Sequence, residues 1–330
     1  MKKALLMMVG LALVLSGCGR ETAAASPPLV SAEETMPPLP ESCMRYYDFG
    51  EREIETHDQS IPLADNAAEA DPCSYSVWYQ GSYQGLKINP FDEGLTLEEL
   101  VGDYVRLTTT DGLFLWNGER YDCALLTVNN GYVPNLVPNE KNAVLWLELT
   151  GDCTADGGGE ELGCFSGFNT VVISGTGTLR IEGCGIECGG GSFPFPALIL
   201  NGPSLSCSIV SLTENLRQGD TPTLWVRAGE LEAQNLFLTG DLCVSGGTAT
   251  VETVDGVENA VFRGGTFRCG SWTETVVPTL ILSGGDATCT EWLPVGTVIE
   301  AGAGTITANG IRYWDTLHVY DGGSFVDLMD

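Results

Sequence analysis

The sequence predicts an all-β protein whose C-terminal half is a right-handed parallel β-helix (a β-solenoid), preceded by a small irregular N-terminal cap. Turn residues recur at near-regular intervals, side-chain character repeats at fixed offsets from each turn, and Gly is abundant (42 of 330 residues). The reference positions of the turns are Gly151, Gly177, Pro203, Gly229, Gly247, Gly265, Gly285, Gly304 and Gly323. Successive intervals, by subtraction of residue numbers, are 26, 26, 26, 18, 18, 20, 19 and 19. Repeats of that size suit a three-sided β-helix whose turns of chain stack on one another.

Apolar residues recur at four offsets from the reference position, and we predict that all four columns point into the core. Two residues after it lie Cys153, Leu179, Leu205, Leu231, Ala249, Phe267, Ala287, Ile306 and Phe325; four after it lie Ala155, Ile181, Cys207, Ala233, Val251, Cys269, Cys289 and Ala308. Seven after it lie Cys184, Val210, Leu236, Val254, Trp272, Trp292 and Ile311; four before it lie Leu147, Ile173, Ile199, Trp225, Cys243, Val261, Ile281 and Val319, with Glu300 as the exception. Polar residues fill the offsets one and three residues after the reference, so these columns are predicted to face outward.

The N-terminus predicts export and lipidation. Lys2 and Lys3 precede an apolar run, Ala4–Leu15, which is shorter than the roughly 20 residues that a membrane-spanning helix needs. The following Ser16-Gly17-Cys18 resembles a bacterial lipobox, and by that resemblance Cys18 becomes the lipidated first residue of the mature chain. We therefore expect signal peptide and lipobox at 1–18, and a location outside the cytoplasm, anchored by lipid to the cell membrane of the bacterial envelope.

Two segments separate this anchor from the predicted β-helix, which spans 143–330. Residues 19–42 are rich in Pro, Ala, Ser and Glu without a periodic apolar face, which predicts a flexible tether. In residues 43–142 a capping-box pair, Thr96 and Glu99, predicts a short helix through Val101, and strands are predicted at Tyr104–Thr108, Leu113–Trp116 and Ala124–Val128. An open β-helix end exposes unpaired backbone groups, so we interpret 43–142 as a cap rather than a catalytic domain.

Twelve cysteines in an exported chain suggest a disulfide framework, yet several fall in the predicted inward columns. A thiol in such a column acts as a small apolar filler. Cys269 and Cys289 lie on adjacent repeats with parallel Cβ vectors, which is poor geometry for a disulfide. We expect mostly thiols, while the pairings Cys43–Cys73 and Cys73–Cys123 stay open. The consecutive Trp272 and Trp292 are predicted to form a buried stack rather than a sugar-binding platform.

The three repeats of 26 residues place their extra length at the same corner, in loops at about 156–170, 185–198 and 211–224. Repeat proteins often bind ligands at such loops. The candidate metal ligands are Asp156, Glu160, Glu187 and Asp220, and the candidate carbohydrate-binding residues are Phe193, Phe195, Glu214, Asn215 and Arg217. Clustered carboxylate and amide oxygens suit Ca²⁺, which takes six to eight oxygen ligands, and aromatic rings beside them suit a sugar. The alternative is a set of solvated acidic loops without a ligand.

Charge excludes several partners. The net charge of −29, and the absence of lysine after Lys141, leave no basic surface for phosphate contacts, so nucleic acid is not expected as a partner.

An enzyme is not expected either. Neither of the two histidines, His57 and His318, has a local catalytic or metal-binding pattern, and no pair of carboxylates is singled out as a glycosidase would require.

The stretch VVISGTGTLRIEG (Val171–Gly183) and the later Gly-Gly-Thr turns resemble the exported bacterial carbohydrate-binding parallel β-helix proteins, fold relatives of polysaccharide lyases. The resemblance covers about residues 143–330 and implies a non-catalytic, calcium-bearing polysaccharide binder. We therefore expect a lipoprotein that binds cell-wall or extracellular polysaccharide, with Ca²⁺ as a candidate cofactor. The alternatives are a structural or adhesive surface protein without a small-molecule site and, third, a divergent lyase built around Arg217.

Overall fold

The computed structural model describes 75–79, 82–87, 94–116, 119–138, 143–157, 163–188, 196–212, 222–273, 277–291, 293, 295–300, 304–310, 316–319 and 323–328. The predicted signal peptide with Cys18 and the tether at 19–42 lie outside these residues. So do Cys43, Cys73, Glu160, Phe193, Phe195, Glu214, Asn215, Arg217, Asp220 and Trp292. Within the described ranges, no helix combines the length and apolar character needed to cross a membrane.

The N-terminal part contains a short helix and five strands. They are β1 Tyr75–Tyr79, β2 Ser82–Gly85, α1 Leu97–Val101, β3 Val105–Trp116, β4 Glu119–Tyr132 and β5 Leu136–Pro138. The predicted capping box is confirmed: the Thr96 hydroxyl accepts from the Glu99 N–H (3.2 Å), and the Glu99 carboxylate accepts from the Thr96 N–H (2.9 Å). β2, β1 and β5 form a three-stranded antiparallel sheet, and β3 pairs with β4 in a hairpin that contains the three predicted strands.

From Ala143 onward the described residues form a succession of parallel strands. They are β6 Ala143–Asp156, β7 Phe168–Gly175, β8 Thr178–Glu182, β9 Ile186–Cys188, β10 Ala197–Leu212, β11 Thr223–Leu238, β12 Asp241–Val244, β13 Thr248–Asp255, β14 Asn259–Phe262, β15 Thr266–Trp272, β16 Val277–Leu282, β17 Gly285–Cys289, β18 Val295–Glu300, β19 Gly304–Ala308, β20 Thr316–Val319 and β21 Gly323–Asp327. β4 pairs in parallel with β6, so the hairpin continues directly into this sheet. The protein is therefore all-β in architecture, with many parallel strands.

The register predicted from the turns is confirmed at the first offset after the reference position. The hydrogen-bonded ladder aligns Asp152, Thr178, Ser204, Glu230, Thr248, Thr266, Asp286, Thr305 and Ser324. These residues, which we call the polar row, are all exposed or half-buried. The columns two and four residues after the reference are buried as predicted, apart from the half-buried Phe325 at the C-terminal end. One continuous apolar cluster thus extends through the repeats, from Tyr75 to Ala308.

Two of the predicted assignments to inward columns are wrong. Cys184 does not belong to the column seven residues after the reference, because Val210 pairs with Ile186 and Cys184 lies in the bend before β9. The column four residues before the reference does not point inward throughout. Leu147 and Ile173 belong to the main core, whereas Ile199, Cys243, Val261 and Ile281 lie in two other buried clusters, against which Trp225 packs.

A change in turn length explains the second error. Ile173 pairs with Leu200 and Thr178 pairs with Ser204, so the same two ladder positions are five residues apart in one repeat and four in the next. A shift of one residue moves every side chain of a strand to the other face. The outward positions are Trp146, Val172, Ile199, Trp225, Cys243, Val261 and Ile281, which we call the apolar row.

Candidate functional site

The described part of the predicted corner contains two of its candidate metal ligands. Asp156 ends β6 and Glu187 lies in β9, and both are exposed. Cys164 links them: its thiol donates to the Asp156 carbonyl oxygen (3.1 Å), and the Glu187 N–H donates to the Cys164 carbonyl oxygen (3.3 Å). The structure therefore brings these two predicted residues to one corner through a shared neighbour.

Asp156 has two further neighbours of interest. The Tyr132 hydroxyl donates to its carboxylate, and burial together with that carboxylate raises the pKa of Tyr132 above its ordinary value. Asp156 is also the register partner of Glu182, which is exposed on the adjacent strand. Among the residues that the structure describes, no three His, Cys, Asp or Glu side chains form a group suited to a metal ion.

An exposed phenylalanine near this corner was missed in the sequence. Parallel pairing aligns Glu187, Ser211, Phe237 and Asp255 on four successive repeats, and we call this set the Phe237 row. Phe237 is 43% exposed, although it is flanked in sequence by the buried Leu236 and Leu238. The neighbouring outward positions are Ile209, Asn235, Thr253 and Ser271, of which Ile209 is 36% exposed.

The signal for Phe237 is present in the alternation of β11. Leu236 belongs to a predicted inward column, so the next residue, an aromatic one, must point outward. The row begins at the loop corner, since Glu187 and Ser211 are close to the ends of β9 and β10, from which the predicted long loops leave. Its chemistry is mixed: an aromatic ring, a hydroxyl and carboxylates lie side by side, which is a combination suited to binding a polyhydroxylated ligand.

The polar row supplies a second outward surface, held by hydrogen bonds between repeats. The Thr178 hydroxyl donates to the Asp152 carboxylate at 2.9 Å, and the Ser324 hydroxyl donates to the Thr305 hydroxyl at 3.1 Å. Ser204 reaches Glu230 at 3.5 Å. These contacts join polar side chains of adjacent repeats at both ends of the row and thereby order this part of the outward surface.

The burial predicted for Trp272 is confirmed. Its ring is 7% exposed and makes an edge contact with Phe267, with the ring centroids 5.9 Å apart. Trp272 therefore belongs to the core and not to a sugar-binding platform. Its predicted stacking partner, Trp292, lies outside the described residues.

Comparisons with known proteins do not place the chain in a family. No protein-family model matches it, and no curated protein or solved structure is significantly similar to it.

Proposed function

We propose that this chain is an envelope-anchored, non-catalytic lipoprotein whose parallel strands form a right-handed β-helix that binds extracellular or cell-wall polysaccharide. The β-helix proposal is supported by the aligned columns of nine repeats and by the right-handed preference of parallel crossover connections. The proposed binding surface is the Phe237 row together with the long-loop corner.

The exposure of Phe237 carries the binding proposal. Phe237 is 43% exposed, and Ile209, which lies diagonally from it on the adjacent strand, is 36% exposed, so the two leave apolar surface open to solvent beside polar side chains. Exposed apolar surface with polar groups at its edge supports contact with a ligand. The apolar face of a sugar ring would pack on the aromatic ring, while Ser211 and the carboxylates of Glu187 and Asp255 would hydrogen-bond to sugar hydroxyls. Parallel strands repeat about every 4.8 Å, so the row offers contacts at a regular spacing along a polymer.

The deciding experiment is retention of the folded chain on insoluble polysaccharides, including peptidoglycan, chitin, cellulose and xylan. We expect retention on one class of polysaccharide and a loss of roughly tenfold in affinity for Phe237→Ala, since an aromatic anchor contributes about 1–2 kcal/mol. Val326→Ala is the matched control, because Val326 is 44% exposed in β21, on the C-terminal repeat. No retention on any polysaccharide would contradict the proposal and favour a structural or adhesive protein.

Calcium is tested in the same experiment. The predicted ligands Asp156 and Glu187 lie at one corner with exposed carboxylates, as a hard cation requires. Retention that is lost with a chelator, and equally lost in Asp156→Asn with Glu187→Gln, would support a Ca²⁺-assisted site. Retention that is unchanged by chelator would restrict the proposal to direct carbohydrate contacts.

Anchoring is tested separately at Cys18. Cys18→Ser removes the residue that the lipobox resemblance assigns to lipidation. The variant is expected to leave the membrane fraction and to lose incorporation of a labelled fatty acid. Fractionation of the variant with the membrane, as in the wild type, would contradict this part of the proposal.

A further inference from the structure

Two cysteines at the loop corner lie closer together than their positions in the sheet require. The sulfur atoms of Cys164 and Cys184 are 3.5 Å apart. A disulfide bond has a length near 2.04 Å, so a small side-chain movement would bring them to bonding distance. Neither residue belongs to a named strand: Cys164 precedes β7, and Cys184 lies in the bend between β8 and β9.

The backbone arrangement leaves their side chains free to point at each other. Cys164 forms a parallel bridge with Ile186, and its N–H donates to the Gly185 carbonyl at 2.8 Å. Cys184 is therefore offset by two residues from the register partner of Cys164. Cys184 lies in a bend and not in a regular strand, so the parallel Cβ vectors that normally prevent a disulfide between neighbouring parallel strands are not imposed on this pair.

A second thiol pair in the same molecule provides the contrast. Cys269 and Cys289 are register partners in β15 and β17, both are buried, and their thiols are hydrogen-bonded, which raises the pKa of Cys269. Their parallel Cβ vectors, about 4.8 Å apart along the stack, oppose the dihedral angle that a disulfide needs. Contact between thiols alone therefore does not select a pair for oxidation, whereas the corner pair combines contact with offset backbones.

Access from solvent also differs between the pairs. Cys184 is half-buried, so a small oxidant can reach it, whereas Cys164 is fully buried behind it. Burial raises the pKa of the Cys164 thiol, which makes Cys184 the first thiol to react and Cys164 the resolving one.

We propose that Cys164 and Cys184 form a disulfide bond by exchange with a disulfide oxidant, which fixes the loop corner when the chain is in an oxidising compartment. The Cys184 thiolate attacks one sulfur of the oxidant and releases one thiol, which leaves a mixed disulfide on the protein. The Cys164 thiolate then attacks Cys184 Sγ and releases the second thiol. Two protein thiols are oxidised and one oxidant disulfide is reduced to two thiols, so atoms and electrons balance.

The bond would join the turn before β7 to the bend before β9. Cys164 accepts the Glu187 N–H at its carbonyl oxygen, and this bond is kept on oxidation. The S–H that donates to the Asp156 carbonyl oxygen is lost, so the cross-link replaces that hydrogen bond with a covalent tie next to Glu187. Oxidation would thus reduce the motion of the corner whether or not that corner binds polysaccharide, and the inference does not depend on the proposed function.

The test uses the full chain, reduced, freed of reductant and then incubated in the folded state with oxidised glutathione. Remaining thiols are alkylated after unfolding, and the protein is digested without reductant and mapped by mass spectrometry. We expect a cross-linked peptide pair containing Cys164 and Cys184, with both absent from the alkylated peptides. Cys269 and Cys289 are expected to stay fully alkylated. Alkylation of Cys164 and Cys184 equal to that of the reduced protein, or a link from Cys184 to Cys207, would overturn the proposal.

Two variants separate exchange from a merely structural role. Cys164→Ser is expected to trap glutathione on Cys184, because the resolving thiol is missing, whereas Cys269→Ser is expected to keep the cross-link intact. Closure in the wild type should accelerate as pH rises, since the second step requires the Cys164 thiolate. A Cys164→Ser protein that folds but takes up no glutathione would contradict the order of steps, and if the variant does not fold, the wild-type map decides alone.

Discussion

The apolar row and the polar row both point outward from the same parallel sheet, yet the first is buried except at the half-buried Trp225, and the second is exposed or half-buried. Val172 and Ile199 are 0% exposed, and Val261 and Ile281 are 1% exposed. Every member of the polar row, by contrast, keeps contact with solvent. Strand alternation therefore separates the two faces of a sheet, but it does not determine which outward surface is covered.

Two tryptophans account for part of the cover on the apolar row. Trp146 is aligned with Val172, and its indole N–H donates to Ser174 on that next strand at 2.6 Å. Trp225 is aligned with Cys243, and its indole N–H donates to Ser245 beyond it at 2.8 Å. Each indole thus reaches over the following member of the row, where it excludes water from an aliphatic or thiol side chain.

The largest expected effect comes from placing a charge on the covered surface. Val261→Asp introduces a carboxylate at a position that is 1% exposed, within a cluster of Cys243, Ile281 and Trp225. The free energy of unfolding is expected to fall by about 3–5 kcal/mol, because a buried unpaired charge adds to the lost apolar burial. Denaturant unfolding followed by tryptophan fluorescence measures the change.

Thr250→Asp is the matched control for that substitution. Thr250 points outward from the neighbouring repeat and is exposed, so its replacement should change the unfolding free energy by less than about 0.5 kcal/mol. Equal losses of unfolding free energy in the two variants would show that the two outward surfaces do not differ in how well they exclude water.

Much of the sheet could be predicted because the spacing of the turn residues determines its register. The predicted alignment of the polar row from Asp152 to Ser324 is correct, since a period of two residues and a recurring glycine allow few alternative strand registers. The sequence assigns the members of the apolar row from Ile199 to Ile281 to the core because their side chains are apolar. The turn is one residue shorter from the repeat of Ile199 onward, and this places these side chains on the outward face of their strands. The hydrophobicity of the side chains does not reveal the length of the turn.

The candidate site could be predicted only in part, for a related reason. Asp156 and Glu187 were identified from the loop lengths, and the structure brings them to one corner. Phe237 was missed because the prediction of the site used loop length, and Phe237 lies within a regular strand. The closeness of Cys164 and Cys184 was also not foreseen, since it depends on an offset of two residues in a short irregular segment.

A smaller effect is expected at the turn that joins the two outward surfaces. Gly247 connects β12, which carries Cys243, to β13, which carries Thr248; its φ is +68°, and an added Cβ would lie 2.3 Å from the Gly229 carbonyl oxygen. Gly247→Ala should therefore cost about 2–3 kcal/mol of unfolding free energy, combining backbone strain with a clash.

Gly183→Ala separates those two contributions. Gly183 has a similar φ of +73°, but an added Cβ there meets nothing within 4 Å, so only the strain of about 1–2 kcal/mol is expected. Urea midpoints of both variants provide the comparison. Equal costs would show that the close stacking of turns contributes nothing beyond the glycine conformation itself.

The smallest effect tests the cover over the apolar row directly. Trp225→Phe removes the N–H that binds Ser245 and shortens the ring on which the Arg227 guanidinium lies, 5.0 Å from the ring centroid. We expect a loss of about 1 kcal/mol in the unfolding free energy. The sharper readout is Cys243, which is 6% exposed: its alkylation in the folded protein should become several times faster.

Trp146→Phe is the control, since it removes the equivalent bond to Ser174 at a distant position in the row and should leave the alkylation of Cys243 as slow as in the wild type. If Cys243 reacts equally slowly in both variants, Trp225 is not what excludes solvent at that position, and the burial of the row must depend on contacts other than the indoles.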